Sequence, residues 1–341
     1  MLLGAMDILT GALPVEALPE APRYFPLDRG RYEVKPGLLK FGTDLGNDFW
    51  DQRVFQIDGN FQHYHQVKQL ARREQLDKYF QTCNLTAAVE RVITQFMMER
   101  LGQEYPELFT VNVQSAEILF HNQLTGEILH FDRNYRFQLA TGLAPELPPY
   151  ISALDALAHQ VQEDITVVSR GGTSHWVSAI HLCFPNHWAA QAKIGRDFAE
   201  VHAPVAGMDG MNRRGAALVN TLIRRPPMVR FAWGLSTDTR LNHHPVPPPD
   251  GDPQQWQGRS FQADRPQLFL RIERQVIWGF PEVNAALFLI RTYFRDVTVI
   301  KQNPTQRDCL YSALASMSPE SLIYKGLAHQ QQEILAWLKA T

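Results

Sequence analysis

The clearest periodic segment of the chain lies between residues 84 and 101 and has the spacing of an amphipathic helix. Asn84 is suited to cap its start, and Gly102 ends the pattern. Apolar side chains recur every three to four residues, at Leu85, Val89, Val92, Ile93, Phe96 and Met97. A second helix is predicted after Pro149, with one apolar face made by Ile151, Leu154, Leu157, Val161 and Ile165.

Strands are predicted where apolar and polar residues alternate, or where a short apolar run is bounded by turn residues. Residues 165–169 and 175–184 form one such pair, joined by Gly171-Gly172. Residues 268–278 and 285–294 form a longer pair around a Phe-Pro-Glu turn, and we expect them to pair antiparallel. Further short strands are predicted between residues 109 and 140.

The order of these elements favours an α+β fold with an antiparallel sheet, because helices and strands do not alternate regularly. Five prolines between residues 14 and 36 predict an irregular N-terminal arm over residues 1–50. Residues 51–341 are then expected to form a single domain with additional helices, the last of them beyond Pro319.

Composition narrows the function classes. Lys and Arg number 33 against 35 Asp and Glu, so no basic surplus supports a nucleic-acid partner. The three cysteines are scattered and form no CxxC pair, which disfavours a zinc ribbon, an iron–sulfur cluster and a disulfide framework. The N-terminus lacks the basic region of a signal peptide, and no apolar run is long enough to span a membrane. We therefore expect a cytoplasmic protein without a membrane partner.

The strand over residues 268–278 carries the most informative local chemistry. Its period of two places Arg274 among apolar side chains, while Arg271, Glu273 and Gln275 share the other face. A buried guanidinium is costly without an anionic partner, which can be a protein carboxylate such as Glu163 or a bound carboxylate or phosphate. Arg291 on the neighbouring strand can pair with a residue of this strand. The alternative interpretation is a structural ion-pair network.

Acids and histidines offer a second set of candidates. Glu163 and Asp164 are predicted at a helix end, where paired acids serve as a general acid or bind a cation, although solvated acids are commoner. His202 lies immediately before a proline turn that can hold an imidazole at the edge of a core. A lone histidine is more often structural than a ligand. His175, His181 and His187 lack the spacing that brings two imidazoles to one metal ion.

Seven ordered motifs together resemble a known family. They are Gln162-Glu163-Asp164, Cys183-Phe184-Pro185 with Trp188, Lys193-Ile194-Gly195, His202-Ala203-Pro204-Val205, LRIERQ at residues 270–275, IRTY at residues 290–293 and Tyr324-Lys325-Gly326. Their order is similar to that of the α subunit of haem-dependent oxidative N-demethylases, over about residues 25 to 335.

This resemblance implies a PAS-like antiparallel sheet with surrounding helices and a haem pocket against the sheet. It further implies a b-type haem and a monooxygenase reaction that removes a methyl group from a small amine with O₂ and releases formaldehyde. Electrons would come from NADPH through a separate flavin and iron–sulfur reductase subunit. The absence of a cysteine cluster and of a dinucleotide fingerprint agrees with a reductase on another chain.

The resemblance also suggests site residues, since haem needs an axial ligand, cations for its propionates and a shaped pocket. His202 is the expected axial ligand, with the Cys183 thiolate and His175, His181 or His187 as rivals. Lys193, Arg271 and Arg274 are the propionate candidates, and Arg291 and Trp188 are expected to help bind the cofactor. Glu163, Asp164 and Glu273 are the candidate catalytic acids, for holding a protonated amine or relaying protons; Glu273 can also orient Arg271 or Arg291.

Two other functions stay open at this point: a haem-based gas or redox sensor, and a haem-binding subunit without catalysis. This chain also departs from the family pattern at Val205, Ala232 and Gly279, where a proline, an asparagine and a more basic turn are common. These departures leave the haem expectation in place but leave the substrate amine open.

Overall fold

A computed structural model describes residues 18–27, 30–257 and 260–340, and its centre is a seven-stranded antiparallel sheet. The strands, in chain order, are β1 (Leu39–Lys40), β2 (Phe80–Thr82), β3 (Phe109–Val113), β4 (Glu117–Asn122), β5 (Ile128–Asp132), β6 (Phe137–Thr141), β7 (Asp164–Gly171), β8 (Ser174–His181), β9 (Met228–Ser236), β10 (Phe269–Phe280) and β11 (Ala285–Asp296). The central sheet has the order β1-β9-β10-β11-β7-β8-β2, and β3-β4-β5-β6 form a separate four-stranded sheet.

Helices surround both sheets. They are α1 (Phe61–Tyr79), α2 (Ala87–Glu104), α3 (Ala153–Ala158), α4 (Phe198–His202), α5 (Asp209–Asn212), α6 (Gly215–Arg224), α7 (Pro253–Trp256), α8 (Val297–Gln302), α9 (Pro304–Ala315), α10 (Pro319–Tyr324) and α11 (Gln331–Lys339). Within the described part of the chain, no helix is both long and apolar enough to cross a membrane.

The two longest strands, β10 and β11, pair along their whole length around a short turn at Pro281–Val283. Alternation gives this sheet two chemically different faces. The core face carries Leu270, Ile272, Arg274 and Val276 of β10 with their partners on neighbouring strands. The front face carries Arg271, Glu273, Gln275 and Ile277 with theirs. The sheet therefore separates two sets of polar residues that are adjacent in sequence.

The core face packs against two groups of helices. One end of it, with Val276 and Leu289, contacts α2 and α3 in the largest buried cluster. The other end, with Leu270 and Ile272, contacts the C-terminal helices α8 to α11. Burial of these apolar faces supplies the main stabilisation of the fold.

Two groups of apolar residues cover parts of the front face. Val219 and Ile223 of α6 pack on one side, and a cluster with Trp188 and Val201 packs beside β8. Helix α6 approaches β10 so closely that a Cβ at Gly279 would lie 2.1 Å from the carbonyl oxygen of Ile223. Only glycine permits this contact, so Gly279 fixes the position of α6 over the sheet.

An irregular segment, residues 53–58, is buried beneath the core face. Val54, Phe55 and Ile57 are fully buried, as are Gln56 and Asp58. A buried segment outside helices and sheets needs other partners for its backbone polar groups. Here the N–H groups of residues 54–58 all donate to side chains, namely to those of Glu104, Glu163, Tyr105 and Gln162.

Two arginines of the central sheet donate hydrogen bonds to carbonyl groups of the same segment. Arg274 donates to the carbonyl oxygens of Arg53 at 2.8 Å and Val54 at 3.5 Å. Arg291 donates to the carbonyl oxygen of Gln56 and forms an ion pair of 2.7 Å with Asp58, both side chains being fully buried. The segment is thus held by side chains rather than by a strand partner.

Several sequence expectations are confirmed and some are not. The model is mixed α and β with antiparallel sheets, and both predicted strand pairs are present. The predicted helix after Pro149 is much shorter than expected, since α3 ends at Ala158 and Ile165 lies in β7. Helix α2 is capped by Thr86 rather than Asn84. The arm expected over residues 1–50 lies partly outside the described residues, and its described part holds β1 and a short 3-10 helix at Asp48–Gln52.

Replacing Asp58 with asparagine should lower the free energy of unfolding by about 3–5 kcal/mol, because the buried charge of Arg291 loses its counter-ion. Urea denaturation measures this loss. Glu146→Gln is the control, since the Arg73–Glu146 pair is exposed and should contribute at most about 1 kcal/mol. Equal, small effects of both changes would contradict a dominant role for the buried pair.

Candidate functional site

The centre of the front face is a patch of polar side chains on β9, β10 and β11. Antiparallel pairing places Arg230 opposite Gln275, and Ala232 and Thr292 opposite Glu273. Residues opposite each other in an antiparallel pair point to the same face. We call this group, Arg230, Arg271, Glu273, Gln275 and Thr292, the front-face polar patch.

Glu273 is the acid at the centre of this patch. Gln275 donates to its Oε2 at 3.0 Å, and Nε of Arg271 lies 4.0 Å from its Oε1. Lys325 and Arg230 are also close to Glu273. Burial lowers the pKa of Lys325 to about 8 and also lowers the pKa of Arg230. The negative charge of Glu273 opposes both shifts. One carboxylate therefore faces several cations.

The patch has unused hydrogen-bonding capacity. Nε of Arg230, Nε of Arg271 and Oε1 of Gln275 are all buried, and none has a partner among the described residues. A buried polar atom without a partner costs about 1–3 kcal/mol and usually signals a ligand, an ion or water. The two arginine nitrogens are donors that match a bound carboxylate, whereas Oε1 of Gln275 is an acceptor.

His202 is held next to this patch by the short helix α4. Asp197 and Glu200 form a capping box that fixes the helix start. Nδ1 of His202 lies 2.8 Å from the carbonyl oxygen of Phe198, and the two rings stack with centroids 4.2 Å apart. A carbonyl oxygen can only accept, so Nδ1 must donate and Nε2 keeps the lone pair of a metal ligand.

The surroundings of His202 keep its imidazole neutral. Its pKa is lowered first by burial and then by the charges of Arg230 and Lys193, against the hydrogen bond to Phe198. Lys193 itself donates to the carbonyl oxygen of Val201, and burial lowers its pKa. Trp188 lies in the neighbouring apolar cluster with Ile194. The structure thus brings His202, Lys193 and Trp188 to the margin of the front face.

Arg271 is anchored at the end of the patch that adjoins the Phe184 loop. It donates to the carbonyl oxygen of Phe184 at 2.7 Å and to that of Leu241 at 3.3 Å. Its guanidinium carbon lies 5.4 Å from the centroid of the Phe294 ring. The cation is therefore fixed by neutral acceptors, while its Nε faces the Glu273 carboxylate at 4.0 Å without a hydrogen bond.

The two other predicted arginines lie on the core face. The acceptors of Arg274 are backbone carbonyl oxygens, although its Nε, like those of Arg230 and Arg271, has no partner among the described residues. Arg291 is paired with Asp58 and covered by the ring of Tyr64 at 3.9 Å. Glu163 is on the same side of the sheet, where its Oε1 accepts from Gln56 N and its Oε2 has no hydrogen-bond partner among the described residues. The structure does not bring these three residues to His202.

Asp164 and Cys183 meet at the boundary between the two faces. The Asp164 carboxylate accepts from the backbone N–H groups of Cys183 and Phe184. Its pKa is raised to about 7 by burial, against the charges of Lys68 and Arg271. Burial, with Asp164 adding to it, also raises the pKa of the Cys183 thiol. A protonated thiol is a poor iron ligand, which weakens the rival role of Cys183.

The three rival histidines are engaged elsewhere. His175 accepts from the backbone N–H of Phe198 at 3.0 Å. His181 lies 3.7 Å from Asp155 in the core, and His187 packs against His243 with ring centroids 5.2 Å apart. Two surface clefts, of about 500 and 440 Å³, contain neither His202 nor Glu273, and His175 lines the smaller one.

The sequence reasoning missed Arg230, because no strand was predicted at residues 228–236. The large apolar residues Phe231 and Trp233 alternate with Arg230 and Ala232, and this alternation is a signal for a strand. It also missed Asp58 and a buried group formed by His65, Glu127 and His159. No local signal marks those residues, since their partners are distant in sequence.

Comparison with known protein families identifies one match. Residues 47–335 match the family of haem-dependent oxidative N-demethylase, alpha subunit-like proteins. The chain belongs to this family. The match spans most of the chain, including all seven motifs, and the family name supports haem as the cofactor and other subunits as partners.

Replacing Glu163 with glutamine should flatten the dependence of stability on pH. Burial raises the pKa of Glu163 to about 7, although the charges of Arg291 and Lys68 act to lower it. In the unfolded chain, a glutamate has a pKa of about 4.3. Between these values the folded protein holds a proton that the unfolded chain has released. The wild type should thus lose stability as pH rises from about 4.5 to 7, by up to ~1.4 kcal/mol per pH unit for one group.

Denaturation at a series of pH values tests this, with the exposed Glu146→Gln as the control. The control should keep the slope of the wild type. A Glu163→Gln variant with that same slope would show that Glu163 titrates normally.

Proposed function

We propose that this chain is the haem-binding catalytic subunit of an oxidative N-demethylase, in which His202 would bind the haem iron. The observation that carries the proposal is the hydrogen bond from Nδ1 of His202 to Phe198, beside the front-face polar patch. A histidine that ligates a metal usually donates its other ring N–H to a fixed acceptor. Family membership supports haem as the group that His202 would bind.

The residues around His202 fit such a group. Haem needs cations for its propionates and an apolar wall for its ring. Arg230, Arg271 and Lys193 supply the cations, and the unpartnered Nε atoms of both arginines suit carboxylate oxygens. Trp188 and Ile290 supply apolar surface. The cofactor-binding roles suggested for Arg274 and Arg291 stay predictions; protein acceptors already engage both guanidinium groups.

We propose that Glu273 is the acid of the site, because it is the carboxylate within the front-face polar patch. It would hold the protonated amine or, together with Gln275, position the arginines that bind the propionates. Asp164, at the edge of the front face, is the second candidate for moving protons, since its raised pKa lies near neutrality. The catalytic role suggested for Glu163 stays a prediction, as it lies beneath the core face.

The remaining parts of the function are also proposals. The cofactor is haem b, which supplies the oxidation of the N-methyl group by O₂ when bound. The protein excludes water and places the methyl group of a small amine, and formaldehyde is released. Electrons come from NADPH through a flavin and iron–sulfur reductase subunit. We further propose that β7 to β11 with α4 to α6 form the PAS-like haem-binding unit; the single-domain organisation of residues 51–341 and the cytoplasmic location stay predictions.

The function is tested with purified protein and a flavin and iron–sulfur reductase. We expect a Soret band at about one haem per chain, NADPH-dependent O₂ uptake and release of formaldehyde from small N-methylated amines. Haem binding with ligand-dependent spectra but no turnover would favour a sensor. The lack of any haem would contradict both.

His202→Ala should abolish the native haem spectrum, because the iron loses its protein ligand. The ferrous–CO absorption spectrum of the variant measures this, and circular dichroism confirms folding. His187→Ala is the matched control and should keep the wild-type spectrum. The opposite pattern, with loss only in His187→Ala, would move the axial role to His187.

Arg230→Ala should speed haem loss to apomyoglobin by roughly 10- to 100-fold, the value of a hydrogen bond to a charged group. Arg274→Ala is the matched comparison, since Arg274 lies on β10 opposite Phe231, the residue next to Arg230, and points to the opposite face of the sheet. Its main effect should be on the free energy of unfolding. Faster haem loss from a stably folded Arg274→Ala variant, with Arg230→Ala unaffected, would reverse the assignment.

A further inference from the structure

A second group of potential metal ligands is buried away from the front face. His65 lies on α1, Glu127 directly precedes β5, and His159 is the C-cap of α3. One ligand atom from each residue lies within 4.8 Å of the other two, and the two imidazole centroids are 4.9 Å apart. All three side chains are buried.

Each imidazole has one nitrogen engaged and one free. Nδ1 of His159 is 2.9 Å from the hydroxyl of Tyr150, and its Nε2 has no partner among the described residues. Nε2 of His65 is 3.0 Å from the amide of Gln69, and its Nδ1 likewise has no partner there. Two buried ring nitrogens without partners in one cluster are an energetic cost that a bound ion would remove.

The carboxylate of Glu127 is held through one of its oxygens. Oε2 of Glu127 accepts from the Tyr150 hydroxyl at 2.8 Å and from Nε2 of Gln160 at 2.9 Å. Since that hydroxyl donates to Glu127, it must accept from Nδ1 of His159, which leaves the lone pair of His159 on Nε2. As placed, the Gln69 amide nitrogen donates to Nε2 of His65; a half-turn of that amide would let His65 donate from Nε2 and keep its lone pair on Nδ1.

We propose that His65, Glu127 and His159 bind a divalent transition-metal ion, with Zn²⁺ as the expected occupant. Two imidazoles and one carboxylate are a common ligand set for such ions. Tyr150, Gln160 and Gln69 are the surrounding groups that orient these ligands. The site lies beneath the core face, so it is distinct from the haem site proposed for the front face and does not depend on it.

Two positively charged side chains lie near the cluster, and their charges oppose a bound cation. Lys68 and Arg72 both lie close enough to lower the pKa of His159 further, after burial and the neighbouring histidines. Each is already engaged: Lys68 donates to the carbonyl oxygens of Ala158 and Glu163, and Arg72 makes a two-pronged pair with Asp155. Asp155 thus neutralises the charge of Arg72, and two carbonyl oxygens hold the ammonium group of Lys68 in place.

A metal ion here would join three elements that otherwise belong to different layers. α1 packs near the central sheet, Glu127 belongs to the small sheet, and His159 ends the helix that leads into β7. Such a link would stabilise the folded state, because the unfolded chain does not hold the three ligands together.

The test uses the full chain, purified without a metal-affinity tag. Inductively coupled plasma mass spectrometry should find about one zinc per chain in addition to any haem iron. After removal with a chelator, titration with Zn²⁺ against a chromophoric competitor should show one tight site, and the thermal midpoint should rise with Zn²⁺. His65→Ala, His159→Ala and Glu127→Gln should each lower the affinity by roughly 100-fold or more, beyond the effect of outer-shell changes.

His130→Ala is the matched control, because this histidine lies on β5 and pairs with Glu117 outside the cluster. It should keep the full zinc content and affinity. Glu127→Gln preserves side-chain shape, so its result is decisive even if an alanine variant fails to fold. The proposal is overturned if the wild type binds no stoichiometric Zn²⁺, or if Glu127→Gln binds it as tightly as the wild type.

Discussion

The burial of residues 53–58 is the constraint on which the core of this protein depends. An irregular segment without solvent must find a partner for every backbone N–H and carbonyl group. Here Glu104, Tyr105, Gln162 and Glu163 accept from its N–H groups, and Arg274 and Arg291 donate to its carbonyls. These polar side chains are stable in the interior because each one faces a hydrogen-bonding backbone group or an opposite charge.

This arrangement divides the sequence motifs between two tasks. In the strand motif at residues 270–275, Arg274 points to the core face and holds the buried segment, whereas Glu273 points to the front face. In Gln162-Glu163-Asp164, the first two side chains bind the segment, and Asp164 instead binds the loop at Cys183 and Phe184. Neighbouring motif residues therefore support the scaffold and the proposed site separately.

Much of the fold could be predicted from local patterns, and the site only in part. The strand pair β10 and β11 follows from alternation, but the helix predicted through Ile165 failed because buried strand and helix segments have similar apolar composition. The sequence placed Arg274 correctly on the apolar face of its strand. It could not supply Asp58 as the partner of Arg291, since 233 residues separate them and no local rule pairs them.

The imidazoles show what the structure adds to a sequence pattern. In the sequence, His202 differs from His175 and His187 mainly by its place in a motif. In the structure, Nδ1 of His202 donates a hydrogen bond to a carbonyl oxygen. This bond fixes the tautomer and leaves Nε2 directed away from its own helix turn. His159 shows the same division through Tyr150. A fixed tautomer with one free nitrogen is a precondition for metal binding that spacing alone cannot reveal, because the acceptor is set by the fold.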